Sequence, residues 1–386
     1  MDLTFTISEQ EFRATVRAWF ESNVPKSRLP SFNGSREGFE AHRGWERKLS
    51  EAGYGMVTWP KEFGGLGLGL IEWLIFEEEY YRAGSPGRVN QNGIFLLGPT
   101  IMEYGTQEQK ARFLPPMAAG NVIWAQAWSE PQAGSDLANV RASAKLDGDH
   151  YILKGHKIWS SRAVFADWAF GLFRTDPDSA RHRGLSLILF PLNSPGVRVQ
   201  PIAQIDGELG FAEIFLEDVR IPVANRLGGE GEGWNVCMAT AGFERGLMLR
   251  SPARYQMAAA RLLQLAKSRP ERCDATIEAA ILQAVLDAES YALSIYATAS
   301  RLTAGGSIGP EASTNKIFWS ELDLALHSAA LAILGDEAER LPHPNDPAID
   351  GVWLDGFLFA LAGPIYAGAN EIQRNIIAER MLGLPR

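Results

Sequence analysis

Apolar residues along the chain follow three successive rhythms. Through the first 120 residues they recur at intervals of three and four, the spacing of a helix with one buried face. Helices are predicted at 38–52, 70–83, 92–104 and 106–119, after a first helix that runs to about Ser22. Ser8-Glu9-Gln10-Glu11 has the form of a capping box at its head, hydroxyl and carboxylate each satisfying an orphan N–H. After Asn121 the rhythm shortens: HYILKGHKIWSS, FADWAFGLFRTD, GLSLILFPL, GVRVQPI and FAEIFLEDVRI are rich in β-branched and aromatic residues. Turn dipeptides such as Asp147-Gly148 and Pro195-Gly196 separate the runs, which predicts a compact antiparallel β region. From Gly233 the helical period returns at about 233–267, 274–304, 311–334 and 351–363, with Pro252 expected to kink or interrupt the first of these. A turn of small residues, Gly363 to Asn370, and a helix from Glu371 to Met381 follow. The acidic stretch Gly229 to Gly233 reads as the hinge into the last domain.

Composition narrows what such a chain can be. At 386 residues, with 46% hydrophobic side chains and 11 Trp, it has the length and apolar content for two or three domains with sizeable cores. A formal charge of -9 removes the broad basic field that nucleic acid or an anionic membrane calls for, leaving room only for a local basic pocket. Cys237 and Cys273 form no CxxC pair, so neither a disulfide framework nor a cysteine zinc site is expected. The start lacks the basic and apolar regions of a signal peptide, and runs such as LSLILF are too short to span a bilayer. A soluble, unprocessed, cytoplasmic protein is the expectation.

The first candidate chemistry is the terminal turn. Ala367-Gly368-Ala369 precedes a helix N-terminus, where naked backbone exposes N–H groups to something electron-rich. Other motifs point nowhere. No His pair has metalloprotease spacing, Ser129, Ser160 and Ser161 lack a GxSxG elbow, and the glycine-rich 64–69 stretch has neither a preceding strand nor a GK[ST] and reads as a flexible loop.

The dense stretch is Trp124-Ala125-Gln126-Ala127-Trp128-Ser129-Glu130-Pro131-Gln132-Ala133-Gly134-Ser135-Asp136, followed by Gly155-His156-Lys157-Ile158-Trp159-Ser160-Ser161. With YGTQEQKARFLP, FRTD, SPGVRVQPI, EDVRIP and NEIQR, in order along nearly the whole chain, it closely resembles the acyl-CoA dehydrogenase family. The resemblance implies an α+β multidomain fold: an N-terminal helical domain (1–121), a middle antiparallel β-barrel or sandwich (122–232) and a C-terminal four-helix bundle (233–386). It implies FAD between barrel and bundle and α,β-dehydrogenation of an acyl-CoA, a base taking the α-proton while flavin N5 accepts the β-hydride. Electrons then leave to an electron-transferring flavoprotein. Trp128 and Ser129 would contact the flavin edge, Trp159 would pack on the ring, Ser161 would bond near N5, and Gly134 and Ser135 would lie beside the pyrophosphate and the ligand. Ala369 and Glu371 would complete the cofactor contacts; Ser135, Arg245, Tyr366 and Gly368 would meet the acyl-CoA. The chain is expected to form a homotetramer or dimer, or a hetero-oligomer with a second dehydrogenase chain, in lipid metabolism.

In much of that family the terminal turn carries the catalytic Glu at the position of Ala367, and alanine accepts no proton. Two jobs are needed at a weakly acidic α-carbon, an aimed carboxylate and a donor to the thioester carbonyl. The Ala367 backbone N–H keeps the donor role, and the resemblance puts the base at Glu244 in Gly242-Phe243-Glu244-Arg245-Gly246, beside Arg245 for the CoA arm. The alternative is a solvent-facing Glu244 paired with a cation. An Arg-x-x-Phe-Gly and a Gly-Gly-x-Gly that hold FAD in many members are replaced by AKSRPERCDA (266–275) and LGDEAERLPHPND (334–346), while the 309–316 segment fits a bacterial subgroup lacking them; FAD is still expected. A non-catalytic or half-site partner subunit, and a flavin oxidase or monooxygenase, remain alternatives. Small residues from Ala239 to Gly242 hint at room for a bulky or branched acyl group.

Overall fold

A computed structural model describes residues 4–245, 251–339 and 352–385. The first third carries α1 (Ile7–Asn23), α2 (Arg36–Glu51), α3 (Leu70–Arg82), α4 (Gly98–Tyr104) and α5 (Gln107–Ala118). Next come β1 (Trp124–Ala127), β2 (Ser143–Asp147), β3 (His150–Ser161), β4 (Trp168–Arg174), β5 (Leu185–Pro191), β6 (Val197–Ile202), β7 (Phe211–Pro222) and β8 (Arg226–Leu227). The last third is α6 (Gly233–Arg245), α7 (Pro252–Ser268), α8 (Ala275–Thr303), α9 (Ala312–Leu334), α10 (Val352–Ala360) and α11 (Asn370–Arg380). The helix, sheet, helix order matches the expectation.

Local details differ for identifiable reasons. The cap of α1 is Thr6, two residues before Ser8: Glu9 N–H donates to Thr6 Oγ1 at 3.3 Å and Thr6 N–H to Glu9 Oε2 at 2.6 Å. Residues 92–104 are not one α-helix, since Asn92–Leu97 forms a π-helical turn before α4. A Cβ on Gly98 would stand 2.1 Å from the Trp59 ring, so the indole packs directly against the backbone where the π turn passes into α4. Pro252 interrupts the 233–267 stretch as expected, opening α7 at a position where its missing N–H costs nothing. The glycine-rich loop is tied down, with Leu66 and Gly67 N–H donating to Met56 O and Trp59 O at 3.0 and 2.8 Å.

Contacts group the chain into two units, Met1–Val24 with Gly69–Ser85 and Arg245–Arg386, and Pro25–Leu68 with Pro86–Glu244. In the first, α9 is the core of a helical bundle, packed by α7, α8, α10 and α11, with Trp319, Leu322, Leu326 and Ile333 buried. Its length and apolar content would suffice to cross a membrane, but those side chains are spent on the bundle. In the second unit the strands form one sheet in the order β6-β7-β3-β2-β4-β5-β8, with β1 added to β4. One face of the strands supplies a single core that includes Ala125, Tyr151, Leu153, Phe173, Ile188, Phe190, Ile214 and Val219. Pairing is antiparallel as expected except where β4 meets β1 and the start of β2, at Ser143, which run parallel to it.

Within the bundle unit, α1 and α3 are joined by Glu79, whose side chain is only 1% exposed. Burial alone would raise its pKa, but hydrogen bonds from Arg17 and Arg82, and their charges, bring it down to about 2. A depressed carboxylate stabilises the fold above its unfolded pKa near 4.5 and loses that contribution as pH falls toward 2. Glu79→Gln should therefore lower stability by about 2 kcal/mol at neutral pH, less than the shift alone implies because both arginines face solvent. In urea titrations the gap between variant and native protein should close as pH falls from about 5 to about 2.

Candidate active site

In the sheet unit the site is built from the entry into β1. Asn90 donates to Met117 O and Val122 O at 3.0 and 3.1 Å and accepts from Trp124 N at 3.2 Å, which fixes where the strand begins. β1 ends at Ala127, and the chain turns out through Trp128 and Ser129. Strand parity on β3 points Tyr151, Leu153 and Lys157 inward, so an ammonium with 0% exposure sits among apolar neighbours. Its Nζ donates to Glu130 Oε1 at 2.8 Å, Trp128 O at 3.2 Å and Leu172 O at 2.6 Å. Glu130 also accepts the Arg141 and Ala142 N–H groups at 2.7 and 2.9 Å. Burial pushes the Glu130 carboxyl up, yet Lys157 and those two N–H donors outweigh it and hold the group below its ordinary value.

One residue beyond this anchor, Ile158 N–H donates to Ser129 O at 2.9 Å, so the 128–130 loop lies along β3. The β3–β7 register then slips between Lys157 and Ser160. The slip turns Trp159 outward at φ 59°, a left-handed conformation that a bulky side chain adopts only under constraint. Trp159 is 57% exposed, its edge against Phe211 at 6.1 Å. Trp128 is 7% exposed, and its Nε1 has no hydrogen-bond partner among the described residues. Ser161 closes β3 opposite Phe211. Trp128, Ser129, Trp159 and Ser161 are thus brought together. Gly134 and Ser135 lie farther along the same loop, exposed, and a Cβ on Gly134 would meet no atom within 4 Å. Its lack of a side chain is not required by this chain's own packing.

The bundle unit holds the second constellation. Lys316, with 0% exposure, donates to Asn370 Oδ1 at 2.7 Å, and Ser320 Oγ donates to the same oxygen at 3.2 Å. Asn370 N–H reaches Pro364 O at 2.8 Å, and Gln373 Nε2 donates to Gly368 O at 3.1 Å. These bonds curl the turn so that Ala367 and Gly368 take φ 56° and 84°. Among the described residues the N–H groups of Ala367, Gly368 and Ala369 have no acceptor, and Ala369 caps α11 without a side-chain bond. Tyr366 stacks on Trp319 at 5.7 Å, and Glu371 is exposed in the first turn of α11.

Glu244 and Arg245 are the last residues of α6, and their side chains lie outside the described residues, as do residues 340–346 of the 334–346 segment. On the same helix burial pushes the Cys237 thiol up, which keeps it protonated and unreactive. Small residues before Glu244 divide: Thr240 is buried and bonded to Thr100 Oγ1 at 2.9 Å, which is packing, while Gly242 opens on space. Sequence reasoning missed both buried lysine anchors. An inward lysine on an apolar strand face was the available signal for Lys157.

Family models for the acyl-CoA dehydrogenase N-terminal, middle and C-terminal domains match residues 6–121, 125–219 and 231–382. The chain is 39% identical over 383 residues to acyl-CoA dehydrogenase IpdE1 of Mycobacterium tuberculosis, covering 98% of each protein. It is 31% identical over 401 residues to acyl-CoA dehydrogenase FadE26 of the same organism, covering 100% of this chain and 99% of that one. Among solved structures, the ChsE4-ChsE5 complex from M. tuberculosis superposes with a TM-score of 0.85 at 32% identity, over 100% of both chains. The Tcur3481-Tcur3483 steroid ACAD gives 0.88 at 27% identity, again over 100% of both.

Because Glu130 is buried, removing its partner should be costly. Lys157→Met should destabilise the protein by about 3 kcal/mol or more in urea unfolding. Adding Glu130→Leu should recover part of that loss, since the orphaned charge goes, though the Arg141 and Ala142 N–H groups then lose their acceptor.

Proposed function

The chain belongs to the acyl-CoA dehydrogenase family, and from that premise we propose that it carries out FAD-dependent α,β-dehydrogenation of an acyl-CoA thioester to the 2-enoyl-CoA. Glu244 takes the α-proton, and the Ala367 N–H donates to the thioester carbonyl. The observation that carries the reading is Trp159, a large aromatic face held exposed and in a strained backbone conformation beside the Trp128-Ser129 loop. Strain of this kind persists only where the surroundings enforce it, and it gathers at functional sites.

The residues present fit the cofactor that the family implies. An isoalloxazine needs a flat wall and polar contacts at its edge, and Trp159, the Ser129 and Ser161 hydroxyls and the unpartnered Trp128 Nε1 supply these. FAD bound there provides the acceptor for the β-hydride. The protein does the rest. Ala367 supports the enolate-like charge through an N–H that has no acceptor among the described residues, and Gly368 and Ala369 add two more. With no carboxylate at Ala367, the proton falls to Glu244 at the end of α6. Arg245 holds the CoA arm, and Gly134 leaves the loop open for a phosphate.

Two features support a ring-bearing, steroid-derived acyl group: the steroid ACAD among the similar structures and the open space at Gly242. The working enzyme is proposed to be oligomeric, passing electrons to an electron-transferring flavoprotein. Leu282, Leu286 and Leu293 are exposed at helical spacing on α8, an apolar face that assembly would cover. Assembly with an unlike dehydrogenase chain is favoured as a second reading by the ChsE4-ChsE5 complex. A purified chain that is stable and yellow only with a second dehydrogenase would establish that reading.

Glu244→Gln keeps the shape and removes the base. It should retain bound flavin while substrate-driven bleaching slows by about 10²–10⁴-fold in stopped flow, and undiminished bleaching would refute the assignment. Trp159→Ala should instead release flavin, read as a lower ratio of flavin to protein absorbance after gel filtration.

A further inference from the structure

Arg254, on the first turn of α7, is left only partly used by the bundle. Its side chain is 27% exposed and makes one ion pair, Nη2 to Asp323 Oδ2 at 2.8 Å. Among the described residues its Nε and Nη1 have no acceptor. Asp323 is 2% exposed and is steadied from the far side by His327, whose Nδ1 lies 2.7 Å from Asp323 O and 3.4 Å from Oδ1. The guanidinium carbon stands 5.5 Å from the Tyr255 ring and 5.8 Å from the Phe359 ring. Phe359 in turn lies 6.0 Å from Tyr366, the residue before Ala367. One aromatic ring therefore separates the guanidinium from the terminal turn. Burial would lower its pKa, but Asp323, with Tyr255, Tyr81 and Tyr366, raises it, so the group is always a donor.

Arginine–carboxylate pairs are frequently bidentate, two N–H groups meeting the two carboxylate oxygens. Here one arm is committed, and a side chain 27% exposed leaves the other donors open to a ligand. Asp323 already balances the positive charge, so a second carboxylate gains little and a neutral oxygen suffices. We propose that Arg254 is a specificity-determining residue of the acyl pocket, donating its remaining N–H groups to a ketone or hydroxyl oxygen carried on the acyl group, remote from the thioester. The inference rests on the proposed dehydrogenation and names its substrate class: an oxygenated, ring-bearing acyl-CoA that extends from Ala367 along Tyr366 and Phe359.

The test compares 3-cyclohexylpropanoyl-CoA with its 4-oxo ring derivative on the flavin-bound full chain. Native protein should favour the oxo compound in kcat/KM by about 10–100-fold, and Arg254→Met should bring that ratio close to one. A native ratio near one, or a ratio unchanged in the variant, overturns the proposal. If the orphaned Asp323 prevents folding, Arg254→Met with Asp323→Leu removes both charges and is read in the same way. Calorimetric binding of the two thioesters gives the same ratio without turnover. Failure of catalysis therefore counts against the dehydrogenase reading, and loss of the binding preference against Arg254.

Discussion

An ammonium without solvent contact must find its acceptors inside the protein, and the face around Trp159 is arranged by that need. Lys157 collects Glu130 and the carbonyls of Trp128 and Leu172, elements that leave the chain at separate points of the sheet. The buried charge has no alternative partners in water, so the 128–130 loop cannot drift from β3 without exposing it. That loop is the one whose Ser129 carbonyl receives Ile158 N–H, immediately before the bulge that turns Trp159 outward. An apolar pair of the same size would pack as well, but it would not specify which carbonyl lies where.

The same device recurs in the bundle. Lys316, equally buried, holds Asn370, and Asn370 holds the turn that carries Ala367. In both places a lysine, or the residue it holds, stands within a few residues of a non-glycine residue at positive φ: Lys157 near Trp159, and Asn370, held by Lys316, near Ala367. Strained backbone of this kind costs on the order of 1–3 kcal/mol and needs compensation from its surroundings. Charged hydrogen bonds in a dry interior are strong enough to offset it. The molecule thus places rigidity next to the two segments to which the proposed chemistry assigns the ring and the thioester.

In the proposed reaction the terminal turn divides one position between two jobs. A side chain and a backbone N–H at one residue serve different ends, and replacing the side chain by a methyl group leaves the N–H in place. Ala367 keeps an N–H with no acceptor among the described residues, and in the proposed reaction the proton goes to a helix elsewhere. The hydrogen bonds that shape the turn come from Asn370 and Gln373, not from the side chain at position 367.

Much of this was legible in the chain itself. The order of helices and strands follows from apolar periodicity, which is a local property, and the dense Trp-Ser-Gly segments marked the family and the missing carboxylate at Ala367. Where local signals had competitors they misled: Thr6 took the cap from Ser8, and a π turn stands in what read as a plain helix. Strand parity would have placed Lys157 inward and went unread, and its carboxylate, 27 residues upstream, could not be named from parity in any case. The sequence by itself determined the three-part architecture and the kind of chemistry, because period, turn residues and motif are written in neighbouring positions. Which groups anchor the bulge, which carbonyls meet the buried ammonium and which donors of Arg254 have no acceptor among the described residues emerged only from the fold, because burial and pairing depend on residues that come together only when the chain has folded.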